Sequence, residues 1–189
     1  MSLKKLTQDK HSNAERSWFA RKMITGDITN DEYSAYLKQQ HLCYLALEQR
    51  FDSINDDDYC LPDELKRAEK ILDDLEELCT EHQNIEIFAS TKKYQKYILE
   101  DCDKNLLYAH VYVRYLGDLK GGQMIAKRVP GSGKYYQFKN PEKLESFIRS
   151  KLNTEENFTN ECNQCFESAI NLFNDLQIYF EKELLYSVG

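Results

Sequence analysis

Apolar residues recur along most of this chain at three- and four-residue intervals, the spacing of one face of an α-helix. Two segments show the spacing most clearly, and their apolar positions are Leu65, Ala68, Ile71, Leu72, Leu75 and Leu78 in the first and Phe166, Ile170, Phe173, Leu176 and Phe180 in the second. Such stripes predict amphipathic helices that bury their apolar faces against one another. We therefore predict an all-α fold.

Turn and cap signals divide the first half of the pattern into helices. The first helix is expected from Leu3 to about Ile24, before Thr25-Gly26. A second should follow Thr29-Asn30-Asp31-Glu32, which has the form of a capping box, and run to about Ile54. Pro62 fits the first position of a third helix.

The second half of the chain is divided in the same way. A short helix is expected from Thr91 to about Asp101, and a longer one from near Lys104 to the loop Pro130-Gly131-Ser132-Gly133. Tyr135-Tyr136-Gln137-Phe138 is predicted as a short extended piece, which alone cannot form a sheet. Asn140-Pro141-Glu142 is expected to cap and open another helix, and a last long helix follows it.

Composition and charge narrow the class of protein. The 189 residues, 41% hydrophobic and 12% aromatic, suit a single domain spanning 1–189 with a substantial core. The net charge of -7 argues against nucleic-acid binding, which depends on neutralising phosphates. Neither a run of about twenty apolar residues nor a leader segment is present, so we expect a soluble, cytoplasmic protein without membrane contact.

Cysteines and histidines show no spacing typical of a metal site. The six cysteines are spread through helical segments, as in a reducing compartment. Cys162 and Cys165 form a CxxC pair, but neither a second pair nor a nearby histidine completes a zinc set. The four histidines, His11, His41, His82 and His110, share no ligand spacing. His11 differs in having Glu15 four residues later on the same helical face, where a carboxylate could orient the imidazole.

Three glycines interrupt the helix expected from near Lys104. Each glycine within a helix costs about 0.8 to 1 kcal/mol relative to alanine. Gly117 and Gly121 are four residues apart and share one face, where either a neighbouring helix or a flat ligand could approach the backbone. Close helix packing or a kink is the structural interpretation. Asp118 and the nearby Arg114 favour the functional one, since a partly buried acid there is a candidate for proton handling.

The segment Tyr112 to Gln123, with the sequence Tyr-Val-Arg-Tyr-Leu-Gly-Asp-Leu-Lys-Gly-Gly-Gln, resembles the distal-helix signature of heme oxygenases. His11-Ser12-Asn13-Ala14-Glu15 resembles the proximal segment of the same family. The likeness continues through residues 149–153 and 166–173. It implies a single-domain heme oxygenase-like fold, with heme sandwiched between a proximal helix and a glycine-interrupted distal helix.

The resemblance implies an activity and its co-reactants. Heme would be both cofactor and substrate, and dioxygen the co-substrate. The products would be biliverdin, expected as the alpha isomer, carbon monoxide and ferrous iron. No other metal is expected. Because the chain has no flavin, nicotinamide or iron-sulfur motif, an external electron donor is required, and we expect ferredoxin. A downstream bilin reductase and a monomeric state complete the expectation.

The resemblance also implies roles for individual residues. His11 would be the axial ligand of the heme iron, and Glu15 would support it. Asp118 would hold ordered water that relays protons to the activated oxygen, and Arg114 would belong to the same polar network. Gly117 and Gly121 would make room for the porphyrin.

The remaining heme contacts expected from the resemblance are Lys4, Tyr112, Gly122, Arg149 and Phe166. Lys4, Tyr112 and Arg149 would face the propionates. Phe166 would wall the pocket, although a core role explains it equally well. His110 is expected to be structural. At position 145 this chain has glutamate where the family commonly has lysine, and a carboxylate cannot pair with a propionate.

Two further interpretations stay open on the sequence alone. One group of cations could form a basic docking patch for an acidic electron donor. Alternatively, they are ordinary solvated side chains. These cations are Lys4, Lys5, Lys10, Lys120, Lys127, Arg128 and Arg149. The main alternative to an oxygenase is a heme-binding or heme-sensing protein without turnover. A helical protein without heme leaves the paired signatures unexplained.

Overall fold

The computed structural model describes residues 1–78 and 85–187, so Cys79 and His82 lie outside the described residues. Within these ranges every regular element is helical. The helices are α1 Leu3–Leu6, α2 Gln8–Arg16, α3 Trp18–Thr25, α4 Asn30–Asp52, α5 Ala68–Leu78, α6 Ala89–Lys96, α7 Leu107–Val111, α8 Gly117–Ile125, α9 Pro141–Ser150 and α10 Glu156–Ser187. The predicted all-α fold is confirmed.

The prediction of a single helix over residues 3–24 is wrong, because the helical conformation is interrupted at Thr7 and at Ser17. The Thr7 hydroxyl donates to the Leu3 carbonyl at 3.1 Å and closes α1. Ser17 leaves the helical conformation, with ψ 150°, and its Oγ accepts the Ala20 amide at 3.3 Å as the N-cap of α3. The segment between the two breaks is α2, which carries His11.

Helix α4 is the long central element, and it packs against α5, α6 and α10. It begins with the predicted capping box, in which the Thr29 hydroxyl accepts the Glu32 amide and the Glu32 carboxylate accepts the Thr29 amide. Tyr33, Tyr44 and Leu47 are among its almost fully buried side chains. The tyrosines place hydroxyl groups inside the core, where α4 also buries the polar side chains of Gln39, Gln40 and Glu48.

Helix α5 begins at Ala68, so the helix start predicted at Pro62 is wrong. Residues 62–65 form a turn instead, with the Leu65 amide bonded to the Pro62 carbonyl at 2.8 Å. The start is fixed from α4, because the buried Glu48 carboxylate accepts the amides of Arg67 at 2.6 Å and Ala68 at 3.0 Å. A distant carboxylate thus satisfies donors that a helix start leaves open.

The predicted glycine-interrupted helix consists of several short pieces. A 3₁₀ turn, Lys104–Leu106, leads into α7, and a π-helical turn, Tyr112–Leu116, separates α7 from α8. Such π turns are rare and often lie at functional sites. A second one, Tyr97–Asp101, ends the helix predicted from residue 91.

Two local predictions after α8 differ from the structure. The piece predicted as extended contains a 3₁₀ turn, Lys134–Tyr136, in which Tyr135 and Tyr136 are buried. Asn140 precedes α9 as predicted, but with φ 53° and without a side-chain hydrogen bond to the helix. Pro141 at the first helical position sets the direction of α9 instead.

Candidate functional site

His11, which is predicted to be the proximal histidine, lies on an exposed helix. No residue of α2 is buried, and the His11 side chain is 46% exposed. Its Nδ1 is 3.6 Å from Glu15 Oε2, within ion-pair range though longer than a hydrogen bond. A carboxylate at Nδ1 leaves Nε2 available, which is how such groups orient ligating histidines. The ring also contacts the buried Phe166 edge to face, with centroids 5.6 Å apart.

The open face of α8 is the surface beside Gly117 and Gly121. A Cβ atom added at either residue would meet no described atom within 4 Å outside the local helix. Among the described residues, therefore, no neighbouring helix is packed against these two positions. Close helix packing therefore does not explain these two glycines, and the flat-ligand interpretation stays a prediction.

Gly122 has a different environment from the other two glycines. An added Cβ there would lie 2.5 Å from Tyr136 Cδ1, closer than real Cβ contacts allow. Gly122 therefore makes room for a buried tyrosine ring, and its predicted contact with heme stays a prediction.

Gly122→Ala is expected to destabilise the fold by about 1 to 3 kcal/mol, because the tyrosine ring must move. Gly121→Ala is the matched control, since its methyl group enters open space and alanine favours a helix by about 0.8 to 1 kcal/mol. Thermal denaturation of both variants checks the difference. Equal melting temperatures for the two would contradict the packing that we describe.

The carboxyl group of Asp118 is held by two buried tyrosines. The Tyr44 hydroxyl donates to Oδ2, and the Tyr135 hydroxyl lies 3.2 Å from Oδ1 and 3.0 Å from the Tyr44 oxygen. Burial raises the pKa of Asp118 to about 7, against the opposing effects of these hydrogen bonds and of the Arg114 and Arg67 charges. The group can therefore bind and release a proton near neutral pH.

Arg114 is fixed on the buried side of the distal segment. Its Nε donates to the Tyr94 hydroxyl at 2.9 Å, and one terminal nitrogen donates to Gln40 Oε1 at 2.8 Å. The guanidinium also lies 4.1 Å from the centre of the Tyr94 ring. The guanidinium lies 5.6 Å from the centre of the Tyr44 ring, so Arg114 and Asp118 lie in one polar region, although their hydrogen-bond partners differ. A shared proton-handling network stays a prediction.

His110 extends this polar region toward α10. Its Nδ1 is 3.0 Å from the Tyr94 hydroxyl, and its Nε2 is 2.7 Å from Glu161 Oε1. Burial alone would raise the pKa of Glu161, but hydrogen bonds from His110 and Tyr97 outweigh it and lower the pKa. This buried, hydrogen-bonded environment agrees with the structural role predicted for His110.

The fold corrects one statement about the cysteines. No histidine is near the CxxC pair in sequence, but the fold places His110 beside Cys165. Burial alone would raise the pKa of the Cys165 thiol, but His110 outweighs this effect and lowers the pKa. Cys102, His110 and Glu161 also come together, with donor atoms within 4.8 Å of one another. Since His110 and Glu161 already form a hydrogen bond, the group is satisfied as a polar network. The cysteines described as free thiols are Cys43, Cys60, Cys102, Cys162 and Cys165.

Residues predicted to face the propionates lie in three different segments. Lys4 is exposed on α1. The Tyr112 hydroxyl is 3.4 Å from Thr7 Oγ1, so the distal segment meets the junction of α1 and α2. Arg149, on α9, forms an ion pair with Glu145 at 2.7 Å. Tyr112 therefore connects the start of the distal signature to Thr7, the residue that directly precedes α2.

Several cations of the proposed docking patch have partners within the chain. Lys10 pairs with Glu167, Lys120 pairs with Glu145, and Arg128 donates to the Ile24 carbonyl. The two ion pairs offset the charges of Lys10 and Lys120, whereas the bond from Arg128 to a carbonyl leaves its charge in place. The docking patch stays a prediction.

The sequence does not reveal the hydrogen-bond partners of Asp118, Arg114 and His110. Tyr44 is 74 positions from Asp118, Tyr94 is 20 from Arg114, and Glu161 is 51 from His110. Tyrosines on helical stripes look like ordinary core residues in the sequence. Their hydroxyl partners emerge only from packing.

None of the helices in the described part of the chain is sufficiently long and apolar to cross a membrane.

Comparison with known proteins gives a consistent family. The family model for heme oxygenase matches residues 1–175. Rat heme oxygenase 2 is 28% identical over 202 residues, covering 92% of this chain and 64% of the relative. The chain thus spans less than two thirds of the length of that relative.

Two further comparisons agree with the first. The heme oxygenase of Takifugu rubripes is 31% identical over 201 residues, covering 93% of this chain and 73% of the relative. The crystal structure of Synechocystis heme oxygenase-2 in complex with heme and NO superposes with a TM-score of 0.83 at 22% identity, covering 96% of this chain and 86% of the other. That likeness shows the fold, and the family model and the Takifugu relative show the family. The chain belongs to the heme oxygenase family.

Proposed function

We propose that this protein is a heme oxygenase that opens heme to biliverdin, carbon monoxide and ferrous iron, using dioxygen and an external electron donor. One observation carries the proposal. A single chain combines an exposed histidine on α2, an open glycine face on α8, and between the glycines an acid whose pKa is about 7. The similar Synechocystis structure is a complex with heme and NO.

The residues fit heme as substrate. A flat macrocycle needs one ligating side chain on one side and little bulk on the other. His11 would bind the iron through Nε2, because Glu15 faces Nδ1. Gly117 and Gly121 would let the α8 backbone approach the ring. Bound heme supplies the iron centre at which dioxygen is reduced.

Asp118 would take up and donate protons beside the porphyrin ring. With a pKa near 7, its carboxyl group can hold a proton and pass it to ordered water under the same conditions. Tyr44 and Tyr135 fix its two oxygens, so the group keeps one orientation. Arg114, anchored by Tyr94 and Gln40, adds a positive charge that favours the ionised form.

Partners and product belong to the same proposal. We infer the alpha isomer of biliverdin, ferredoxin as the donor, a bilin reductase downstream, and a monomer. The five described thiols that are free suit a reducing compartment, in which a reduced ferredoxin would also occur.

A spectroscopic assay tests the proposal against its main alternative, a heme-binding or heme-sensing protein. The protein is mixed with hemin, and ferredoxin with its reductase and a nicotinamide donor is then added under air. We expect a Soret band that decays into the broad red absorption of biliverdin. A Soret band that persists would identify a binder without turnover and overturn the proposal, as would the absence of any Soret band.

A further inference from the structure

Three charged side chains join α8 to α9. Glu145 Oε2 is 2.8 Å from Lys120 Nζ, and Glu145 Oε1 is 2.7 Å from a terminal nitrogen of Arg149. Arg149 Nε also donates to Oε1 at 2.8 Å. We call Lys120, Glu145 and Arg149 the rim triad. One carboxylate in it serves two cations.

The rim triad borders the open face of α8. Lys120 follows Gly117 by three positions, so these two residues are neighbours on the surface of α8. A ligand on the glycine face would therefore meet the charged groups at its edge. An anionic edge would be attracted by the cations and repelled by the carboxylate.

The net charge of the rim triad is only weakly positive. The Lys120 and Arg149 side chains are 58% and 57% exposed and can turn toward a new partner, whereas that of Glu145 is only 23% exposed. Hydrogen bonds from Lys120 and Arg149 lower the pKa of Glu145, so it stays ionised at neutral pH. The triad therefore presents one net positive charge, although it contains two cations.

We propose that Glu145 is a specificity-determining residue that competes with the substrate's carboxylates for Lys120 and Arg149. The inference rests on the proposed function, since heme supplies the carboxylates. A propionate that pairs with either cation must take the place of Glu145, and the displaced carboxylate remains close and repels it. Glu145 thereby weakens the hold on the anionic edge at this rim.

The test compares hemin with hemin dimethyl ester, which has the same ring without the two negative charges. Dissociation constants are measured by Soret titration for the unmodified protein and for Glu145→Gln. Glu142→Gln is the control, because Glu142 is exposed on the same helix and the variant changes the net charge equally. We expect Glu145→Gln to bind hemin about three- to fivefold more tightly, the effect of one exposed charge pair.

The same variant should leave the affinity for the dimethyl ester unchanged, and its gain with hemin should shrink in 0.5 M salt. Equal changes for both ligands, the same gain in Glu142→Gln, or weaker hemin binding by Glu145→Gln would overturn the inference. If the unmodified protein binds hemin but Glu145→Gln matches it, only this inference fails. If the unmodified protein binds neither ligand, the proposed function fails as well.

Discussion

Asp118→Asn is expected to bind heme normally and to lose biliverdin formation. Asparagine has the same shape, and its Oδ1 can accept from one of the two tyrosines while its Nδ2 donates to the hydroxyl oxygen of the other, but it can neither take up nor release a proton. Removing a positioned acid or base typically costs about 10²- to 10⁴-fold in rate. The measurement is the rate of biliverdin formation at saturating hemin, with Soret titration to confirm binding.

The pH dependence of stability offers a separate check on Asp118. Its ordinary pKa is 3.8, and the folded protein raises it to about 7, so the folded state binds the proton more tightly. Fold stability from this group is therefore greatest below about pH 4 and falls as the pH rises toward 7. Asp118→Asn removes the free-energy cost of ionising a buried carboxyl group. The variant should therefore be more stable than the unmodified protein at pH 8 but not at pH 4.

Tyr135→Phe is the matched comparison, because it removes one hydrogen bond to the same carboxyl group and leaves the acid in place. Since Tyr44 still donates to the other oxygen, this variant should lose much less turnover than Asp118→Asn. Our assignment would be contradicted if Asp118→Asn formed biliverdin at the unmodified rate. It would also fail if the variant's stability followed pH in the same way as that of the unmodified protein.

His11→Ala is expected to lose the iron ligand while keeping the fold. The side chain is half exposed on a helix without buried residues, so its removal should cost little stability. Hemin affinity should fall by at least about tenfold, since even changes to groups that only orient a metal ligand cost this much. Soret titration measures the loss, and added imidazole should restore the ligated spectrum.

His41→Ala is the control for this experiment, because the His41 ring contacts the Ala68 carbonyl at 3.0 Å and lies on α4 rather than α2. It should keep the spectrum of bound hemin. An unchanged ligated spectrum in His11→Ala without imidazole would mean that another residue binds the iron. The arrangement around α2 and α8 would then need a different interpretation.

The elements predicted well are those specified by local sequence. The capping box at Thr29 fixes the start of α4, and the apolar stripe ending at Phe180 marks α10. The prediction failed where a tertiary contact decides the boundary. Glu48 is about twenty positions from the helix start that it caps, so nothing near Pro62 reveals that α5 begins at Ala68.

Breaks in the proximal region were missed for a different reason. Thr7 and Ser17 interrupt the chain without glycine or proline, and both act through side-chain hydrogen bonds to the backbone. Such residues also occur within helices, so their pattern alone does not show a break. The consequence for the site is that α2 is a separate short helix that presents His11.

The candidate site was predicted in outline from two signatures and completed by packing. The spacing of Gly117 and Gly121 predicts a shared face. Only the fold shows that this face is open and that the Tyr136 ring occupies the space beside Gly122. Likewise, a shifted proton affinity at Asp118 depends on its burial, which sequence patterns do not report.

Product analysis of a single turnover tests the central claim most directly. One equivalent of hemin is bound to the protein, reduced with ferredoxin and its reductase under air, and extracted, while released carbon monoxide is trapped by deoxymyoglobin. We predict close to one carbon monoxide and one biliverdin, the alpha isomer, for each heme consumed. Heme recovered intact, or lost without biliverdin and carbon monoxide, would contradict the assignment of this chain as a heme-degrading enzyme.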